Sequence, residues 1–552
     1  MRAPIPFEKQ KSASQRDAEI PIGCIVLGLT LVIGLATAGD YGITIDEFNT
    51  EDYGSSALAW YLSGFTDRSQ FVFEEMAMYG PWAQMLISAV QSLGLASALT
   101  VRHAVTFVIG LAGIAALLPL GRLVAGKWAG LTAVVLCLIT GYLYGLLFFA
   151  PIDTPFLAAM CWSTLAIVWM ARREAPSWRA TIVTGLAIGL ALGIRTGGVI
   201  ALAYLFGALA LAALELVLRQ GRRAAPSLLQ IALRFASVVA IACLVAFVLW
   251  PWLQIGNPLA QFAKAYTHFA KIQLVMDFPS WGRDLSTTAL PWHYIAEQLL
   301  ARLPELFIVL LLVAFGAGLT NFVNLVRKSA ARYARTGIAG LKAPIVWLAR
   351  SRGLLVVVIA AIAPGAIIVL TRMSHYDGVR HVLFTIPMLA ILAGWGLKQI
   401  APLIMRFPRT AAALAGAQLA YSIAVMAMLH PLEYVATDAF AGGAWRSHGR
   451  FELDFWSAAG TEAVRQLEQK LKNDPTLTAA GPPRVITCIP WREHDMGRVY
   501  PPGWIVETDP SKAQFLIETE RYRCAQGRDV ALIDEVRRLG QAFAWTYAAR
   551  PR

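Results

Sequence analysis

Long apolar segments constrain this chain more than any other feature of its sequence. A helix needs roughly 20 mostly apolar residues to cross about 30 Å of hydrocarbon, and eleven windows of about that length contain few charges. We therefore predict an α-helical polytopic membrane protein with about 11 transmembrane helices. The windows are Ile20–Ala38, His103–Val124, Ala129–Phe149, Thr154–Met170, Ile182–Ile194, Gly197–Leu218, Phe235–Leu253, Leu306–Leu325, Leu354–Leu370, Val382–Leu397 and Ala411–Leu429.

Composition excludes a large soluble protein. Of the 552 residues, 57% are hydrophobic and 15% are charged, whereas an average soluble domain is about 45–50% apolar and about 25% charged. The net charge of +13 is compatible with nucleic-acid binding, but the positions of the charges favour a signal of membrane orientation. Lys and Arg are retained in cytoplasmic loops, and seven of them lie between the eighth and ninth windows with no acid: Arg327, Lys328, Arg332, Arg335, Lys342, Arg350 and Arg352.

The loop after the first window has the opposite character and is predicted to lie outside. It carries eight acids against the single basic residue Arg68. An odd number of crossings then places the C-terminal segment outside as well. We predict a cytoplasmic N-terminal tail (1–19), a transmembrane domain (20–430) with an acidic first outer loop (39–102), and a C-terminal domain (431–552). An alternative interpretation of the first window is a signal peptide with a cleavage site at Ala36-Thr37-Ala38, which leaves the remaining topology unchanged.

The C-terminal segment is predicted to form a small α/β domain outside the membrane. It contains a helical stretch near Ser457–Lys472 and strand-like runs at Arg484–Ile489, Phe515–Glu518 and Ala542–Tyr547. Its only cysteines are Cys488 and Cys524, which either pair in an oxidising compartment or remain free thiols.

Acidic residues at the predicted outer surface are candidates for chemistry. Asp46 and Glu47 follow the first window closely. Paired carboxylates can act as a general base and as a hydrogen-bond acceptor or metal ligand. Asp153 lies between two apolar windows, where a carboxylate needs a partner or a wet cavity. The alternatives are a solvated acidic loop for the pair and a helix N-cap for Asp153, which Pro155 in the first turn supports.

Basic residues on the predicted outer side run against the orientation rule. The segment Thr371–His381 contains Arg372, His375, Arg380 and His381, and Arg102 and Arg195 lie at other outer window ends. A phosphate at the level of the lipid head groups is the natural partner for such arginines. The alternative is that they anchor the chain to head groups.

Several other site classes are unsupported. The sequence has no P-loop, H-E-x-x-H, G-x-S-x-G or paired C-x-x-C motif. A divalent cation at Asp46, Glu47, Asp153 and His381 is chemically possible, but their spacing is not diagnostic.

The order of these features resembles the polyprenyl-phosphate-dependent glycosyltransferases of the membrane-embedded GT-C superfamily, especially the protein O-mannosyltransferases and aminoarabinose transferases. The resemblance covers most of the chain and uses Asp46-Glu47, Tyr79-Gly80-Pro81-Trp82, Arg102 and Asp153. Further matching stretches are Tyr376–Pro387, His430–Tyr434, Gly442-Gly443 and Gly449–Trp456. The chain departs from the family at Trp82, where a second Pro is common, and it lacks the folded insertion of protein mannosyltransferases.

The resemblance implies a hexosyl or pentosyl transferase that moves sugar from a polyprenyl-phosphate donor to an acceptor hydroxyl on the outer side, with inversion. Asp46, Glu47 and Asp153 would be catalytic, and the donor phosphate would meet Arg102, Arg195, Arg380 and His381. The acceptor is a lipid, a glycan or a protein, and the implied location is the bacterial inner membrane with the site facing the periplasm. The alternatives are a transporter or flippase for an anionic lipid-linked substrate and an inactive membrane scaffold.

Overall fold

The chain folds into a bundle of apolar helices with a small mixed domain at one end. A computed structural model describes residues 18–174, 176–271, 274–474, 477, 481–491 and 498–549, so most of the predicted N-terminal tail lies outside the described residues. The α-helices are α1 Glu19–Thr37, α2 Glu47–Leu62, α3 Glu74–Ala77, α4 Trp82–Gln91, α5 Ala98–Ala115, α6 Leu117–Val124, α7 Lys127–Leu138, α8 Gly141–Phe149, α9 Asp153–Ala171, α10 Trp178–Leu192, α11 Val199–Gln220, α12 Ala225–Leu249, α13 Pro258–Lys271, α14 Tyr294–Arg302, α15 Glu305–Thr336, α16 Lys342–Arg350, α17 Arg352–Thr371, α18 Ile386–Gln399, α19 Ala401–Arg406, α20 Pro408–Leu429 and α21 Ala459–Asn473.

In the described part of the chain, fewer helical stretches have the length and hydropathy of a membrane span than the eleven windows predicted from the sequence, and the number of crossings stays a prediction. Among the described residues, eight helical stretches are long and apolar enough to cross a membrane, or nine if α7 and α8, bent by 71°, form one span. Two features account for the difference. Helix α10 has only 15 residues, and the stretch Thr196–Leu249 counts once although a tight turn at Gly221–Ala224 separates α11 from α12.

The predicted C-terminal α/β domain is present, with more strands than the sequence suggested. Strands β3 Arg484–Thr487, β4 Ile505–Val506, β5 Phe515–Thr519, β6 Val530–Arg538 and β7 Gln541–Ala549 form one sheet in the order β4-β3-β5-β7-β6. Strand β3 is parallel to β4 and β5, whereas β7 is antiparallel to β5 and β6. A separate hairpin, β1 Asp277–Ser280 with β2 Arg283–Ser286, precedes α14. Cys488 and Cys524 are joined in a disulfide, with their Cα atoms 5.6 Å apart.

The first loop of the chain connects the bundle with this domain. Aromatic rings anchor the loop to the bundle, because Tyr41 stacks on Phe148 with centroids 4.0 Å apart and Phe148 stacks on Phe107 at 4.4 Å. The amide of Ile45 donates to the carbonyl of Trp456, 3.2 Å away. We call this end of the bundle the domain end, and the opposite end, which carries the arginines of α15 and α16, the basic end.

Candidate active site

Arg380 lies at the centre of a cluster of carboxylates at the domain end. Its Nη1 is 3.2 Å from Oδ2 of Asp46 and 3.3 Å from Oδ2 of Asp377, and its Nε is 4.0 Å from Oδ2 of Asp153. The rings of Tyr376 and Trp456 each lie 5.2 Å from the guanidinium carbon. We call Arg380 with these three acids the Arg380 cluster.

Different segments position the members of the cluster. Asp46 directly precedes α2, Asp153 is the first residue of α9, and Arg380 opens a 3-10 turn before α18. Asp377 and Gly378 both have positive φ, 58° and 68°, and this reversal returns the chain so that Asp377 and Arg380 can pair. The cluster therefore depends on contacts between segments hundreds of residues apart.

Arg195 joins the cluster from the turn between α10 and α11. Its Nη2 is 2.7 Å from Oδ1 of Asp153, and its guanidinium carbon lies 5.7 Å from the ring of Tyr79 and 6.0 Å from that of Phe156. Asp153 thus has arginines on two sides. This arrangement brings together four of the seven predicted site residues, Asp46, Asp153, Arg195 and Arg380.

Glu47 and Arg102 form a second, buried cluster instead. Oε1 of Glu47 is 2.8 Å from Nε2 of His103 and 3.5 Å from Nε of Arg102, and its Oε2 accepts from the amide and hydroxyl of Thr44. Arg102 also donates to Thr50. Burial opposes ionisation of Glu47, but His103, Arg102 and Thr44 outweigh it and lower the pKa of this carboxyl. Arg102 has only 1% of its side chain exposed, so it faces the protein interior.

His381, the seventh predicted residue, borders the Arg380 cluster without joining it. Its ring lies 4.7 Å from that of Tyr376 and 5.0 Å from that of His375. Within the described part of the chain, no hydrogen bond or ion pair connects it to the three carboxylates.

Two charged residues of the site were not singled out from the sequence. Asp377 lies in the segment Thr371–His381, which the sequence singles out for its arginines and histidines. Arg521 comes from the C-terminal domain, and its Nη2 lies 2.6 Å from Oδ1 of Asp377 while its Nε lies 2.6 Å from Oε1 of Glu452. No local sequence pattern marks Arg521, because its partners are far away along the chain.

Asp46 is the open carboxylate of the Arg380 cluster. Its side chain is 48% exposed, against 5% for Asp153 and 2% for Asp377. The surrounding protein withdraws bulk water from Asp46 and so raises its pKa above the ordinary value; Arg380 opposes this rise, and the charges of Asp377 and Asp153 add to it. A carboxylate with these properties can accept a proton from a bound hydroxyl.

A metal ion does not fit the described residues of this site. The Arg380 guanidinium contacts Asp46 and Asp153, and so occupies the place of a shared cation. Elsewhere in the described chain, the single group with metal-like spacing is Cys488, Glu518 and Cys524, but its two sulfurs form the disulfide.

An open basic groove of about 610 Å³ lies close to Arg195. Its lining includes Lys264, His268 and Lys271 of α13, together with Met78. The next residue, Tyr79, packs on Phe269 with ring centroids 4.3 Å apart and also faces Arg195. Tyr79 therefore connects the lining of this groove to Arg195.

Comparisons with known proteins found similar solved structures. No family model and no curated protein matches the chain. ArnT from Cupriavidus metallidurans in the apo state matches at 14% identity and a TM-score of 0.48, over 97% of this chain and 99% of that one. The same protein bound to undecaprenyl phosphate matches at 14% identity and a TM-score of 0.47, with the same coverage. An Archaeoglobus fulgidus oligosaccharyltransferase in the apo form matches at 12% identity and a TM-score of 0.44, over 91% of this chain and 66% of that one.

Proposed function

We propose that this chain is a membrane glycosyltransferase that moves a sugar from a polyprenyl-phosphate donor to an acceptor hydroxyl. The observation that carries the proposal is Asp46, a half-exposed carboxylate 3.2 Å from Arg380 at an end of an apolar helical bundle. Paired acids and arginines at such a place suit the transfer of a sugar from a donor whose leaving group is a lipid phosphate.

Asp46 is the proposed general base. Its open side chain can reach an acceptor hydroxyl, and its raised pKa makes it a better proton acceptor than an ordinary Asp. The activated oxygen attacks the anomeric carbon as the bond to the phosphate oxygen breaks on the far side, so the configuration inverts. The proton ends on Asp46 and the electron pair on the leaving lipid phosphate.

Arg380 and Arg195 are the proposed ligands of the donor phosphate. Both are held by carboxylates, so a phosphate would replace a carboxylate as the partner of Arg380. This exchange releases Asp46 at the moment when the donor is bound. Lys264 and Lys271 in the nearby groove attract the anionic donor, and His381 borders the same region.

The remaining predicted residues receive positioning roles in this proposal. Glu47 and Arg102 are nearly inaccessible and bond to each other and to neighbours at the start of α2. They hold the turn that presents Asp46. Asp153 lies between Arg195 and Arg380 and fixes the separation of the two guanidinium groups.

The proposed orientation places the domain end outside the cytoplasm, facing the periplasm of a bacterial inner membrane. The acidic first loop and the C-terminal domain meet at this end. Arg350 and Arg352 of the basic loop contact Glu215 at the far end of α11. Basic and acidic loops thus lie at opposite ends, as the retention of Lys and Arg in the cytoplasm requires.

The test is transfer by the purified protein in detergent. Labelled polyprenyl-phosphate sugars are offered with lipid, glycan and peptide acceptors, and we expect consumption of a donor with an inverted product. Asp46→Asn should reduce transfer by about 10²–10⁴-fold with unchanged thermal stability. Asp67→Asn in the same loop, where Asp67 is partly exposed and accepts from the amide of Ser69, is the matched control. Consumption of no donor contradicts the proposal, and full activity of Asp46→Asn contradicts the base.

A further inference from the structure

The basic segment Thr371–His381 serves two different places in the structure. Arg380 and His381 belong to the region of the Arg380 cluster. Arg372 and His375 instead line a separate cavity of about 290 Å³, to which the proposed transfer reaction assigns no role. The cavity therefore needs its own explanation.

The cavity lies at the domain end of α17, at the expected depth of lipid head groups. Ile368 and Val369, in the last turns of this apolar helix, form one wall, and Ile295 of α14 lies opposite. Trp292, which also lines the cavity, is 78% exposed. Tryptophan is enriched at the boundary between lipid and water, so an apolar wall, a polar interior and an aromatic rim here suit an amphiphile.

The cavity lining includes His375, a buried polar side chain with unpaired ring nitrogens. It is 1% exposed, and neither ring nitrogen has a hydrogen bond of ordinary geometry among the described residues, although the backbone of Gly378 is close. Leaving such a buried group without a partner destabilises the protein. Burial lowers the pKa of His375 to about 4, so at neutral pH the ring is uncharged and has one N–H donor and one lone pair. A matching ligand provides both an acceptor and a hydroxyl donor.

Arg372 supplies a positive charge at the mouth of the cavity. It is exposed, and it ends α17 with φ 52° and ψ 38°, a left-handed conformation that Gly or Asn usually takes at this position. The described part of the chain contains no ion pair of Arg372. An arginine kept here despite the backbone strain and the predicted outer location suits a phosphate.

We propose that this cavity binds an anionic glycerophospholipid whose head group carries hydroxyls, such as phosphatidylglycerol. The phosphate meets Arg372, a head-group hydroxyl meets His375, and the first methylenes of the chains contact Ile368 and Val369. The proposed sugar donor also carries a phosphate and hydroxyls, so competition between the two kinds of lipid has to distinguish the phospholipid from the donor. Because Asp377 and Arg380 lie on the same loop, a lipid bound here also restrains that side of the candidate active site.

Native mass spectrometry of the full-length protein, released from detergent, tests the charge requirement. We expect phosphatidylglycerol to bind about tenfold more tightly than phosphatidylcholine. Arg372→Ala should abolish this preference, whereas Arg335→Ala, at an exposed arginine near the end of α15, should leave it unchanged. Ile368→Trp should block binding by filling the cavity. Equal binding of the two lipids, or an undiminished preference in Arg372→Ala, overturns the proposal.

Phosphatidylethanol tests the hydroxyl requirement, because it is an anionic phosphodiester without a head-group hydroxyl. The intact protein should bind phosphatidylglycerol several-fold more tightly than phosphatidylethanol, and His375→Leu should remove that difference. His375→Gln, which keeps a donor and an acceptor, should retain it. If polyprenyl phosphate displaces phosphatidylglycerol at equal concentration through Arg372, the site belongs to the donor and the phospholipid assignment is wrong.

Discussion

The two ends of the helical bundle carry ion clusters of opposite composition. At the domain end, one arginine lies among three carboxylates, Asp46, Asp153 and Asp377. At the basic end, one carboxylate, Glu215 of α11, lies among Arg219, Arg350 and Arg352. Each cluster joins helices that are distant in sequence, yet the two differ in how completely their groups are paired.

The basic-end cluster is closed. Oε1 of Glu215 accepts from Arg350 and its Oε2 accepts from Arg352, both at 2.8 Å. Arg352 also donates to the carbonyls of Ala171 and Ala349. This cluster has the bonding expected of an ion pair that stabilises the packing of α11 against α16 and α17.

The domain-end cluster is open. Nε of Arg380 is buried without a hydrogen bond among the described residues, and half of the Asp46 side chain is exposed. Buried polar groups are normally paired, and each exception needs an explanation. Incomplete pairing beside an open carboxylate favours a site that completes its bonding with a substrate, whereas complete pairing favours stability.

The largest test of this difference changes Arg380 itself. Arg380→Lys keeps the charge but replaces a planar fork with a single ammonium, which cannot serve the three carboxylates in the same way. We expect transfer to fall by about 10²–10³-fold, measured as kcat/KM for the donor. Arg352→Lys at the basic end should transfer at the parent rate. Equal losses in the two variants would remove the functional distinction between the ends.

A second test concerns the contribution of the C-terminal domain. Arg521→Gln leaves Asp377 to Arg380 alone, which draws Arg380 away from Asp46. The pKa of Asp46, already raised by burial, should rise further. Because the base works only when deprotonated, the acidic limb of the pH–rate profile should move to higher pH, and transfer on that limb should fall. Arg521→Lys should return the acidic limb part of the way to its position in the intact protein. If the limb does not move in Arg521→Gln, the contact of Arg521 is purely structural.

Sorting charges by predicted side identified much of the open cluster. Asp46, Asp153, Arg195 and Arg380 were selected because charged groups at the outer ends of apolar windows need partners. The sequence does not tell which of the neighbours Asp46 and Glu47 belongs to the Arg380 cluster. The structure does so because Asp46 precedes α2 and faces the opening, whereas Glu47 begins the helix and turns toward His103.

The sequence does not predict ion pairs between residues that are far apart along the chain. Arg521 meets Asp377 across 144 residues, and Glu215 meets Arg352 across 137, and no local period reports such separations. The exact number of crossings stays a prediction for a related reason. Hydropathy finds apolar windows, but the short α10 and the bent pair α7–α8 follow from packing against neighbouring helices.

A third test addresses the closed cluster. Glu215→Gln removes the shared charge of three arginines, one of which, Arg352, is itself mostly buried. We expect a loss of about 1–3 kcal/mol, seen as a lower midpoint of thermal unfolding in detergent, with transfer unchanged. Glu174→Gln removes an exposed partner of Arg219 and should leave the midpoint in place. A loss of transfer without a loss of stability would contradict the structural role.

The smallest effect is expected at His430, which connects the first loop to the end of α20. Its Nδ1 is 2.7 Å from Oε1 of Glu433 and its Nε2 is 3.0 Å from Oδ2 of Asp40. The hydrogen bond to Glu433 is the main cause that raises the pKa of His430, against the opposing effect of burial. The stabilisation is therefore full below the unfolded pKa of about 6.5 and disappears as the pH rises through the higher folded value. The unfolding midpoint should fall over this range by less than it does in Glu215→Gln, and His430→Asn should flatten the dependence. If His430→Asn keeps the slope of the intact protein, another group causes it and the first loop is held without a charged His430.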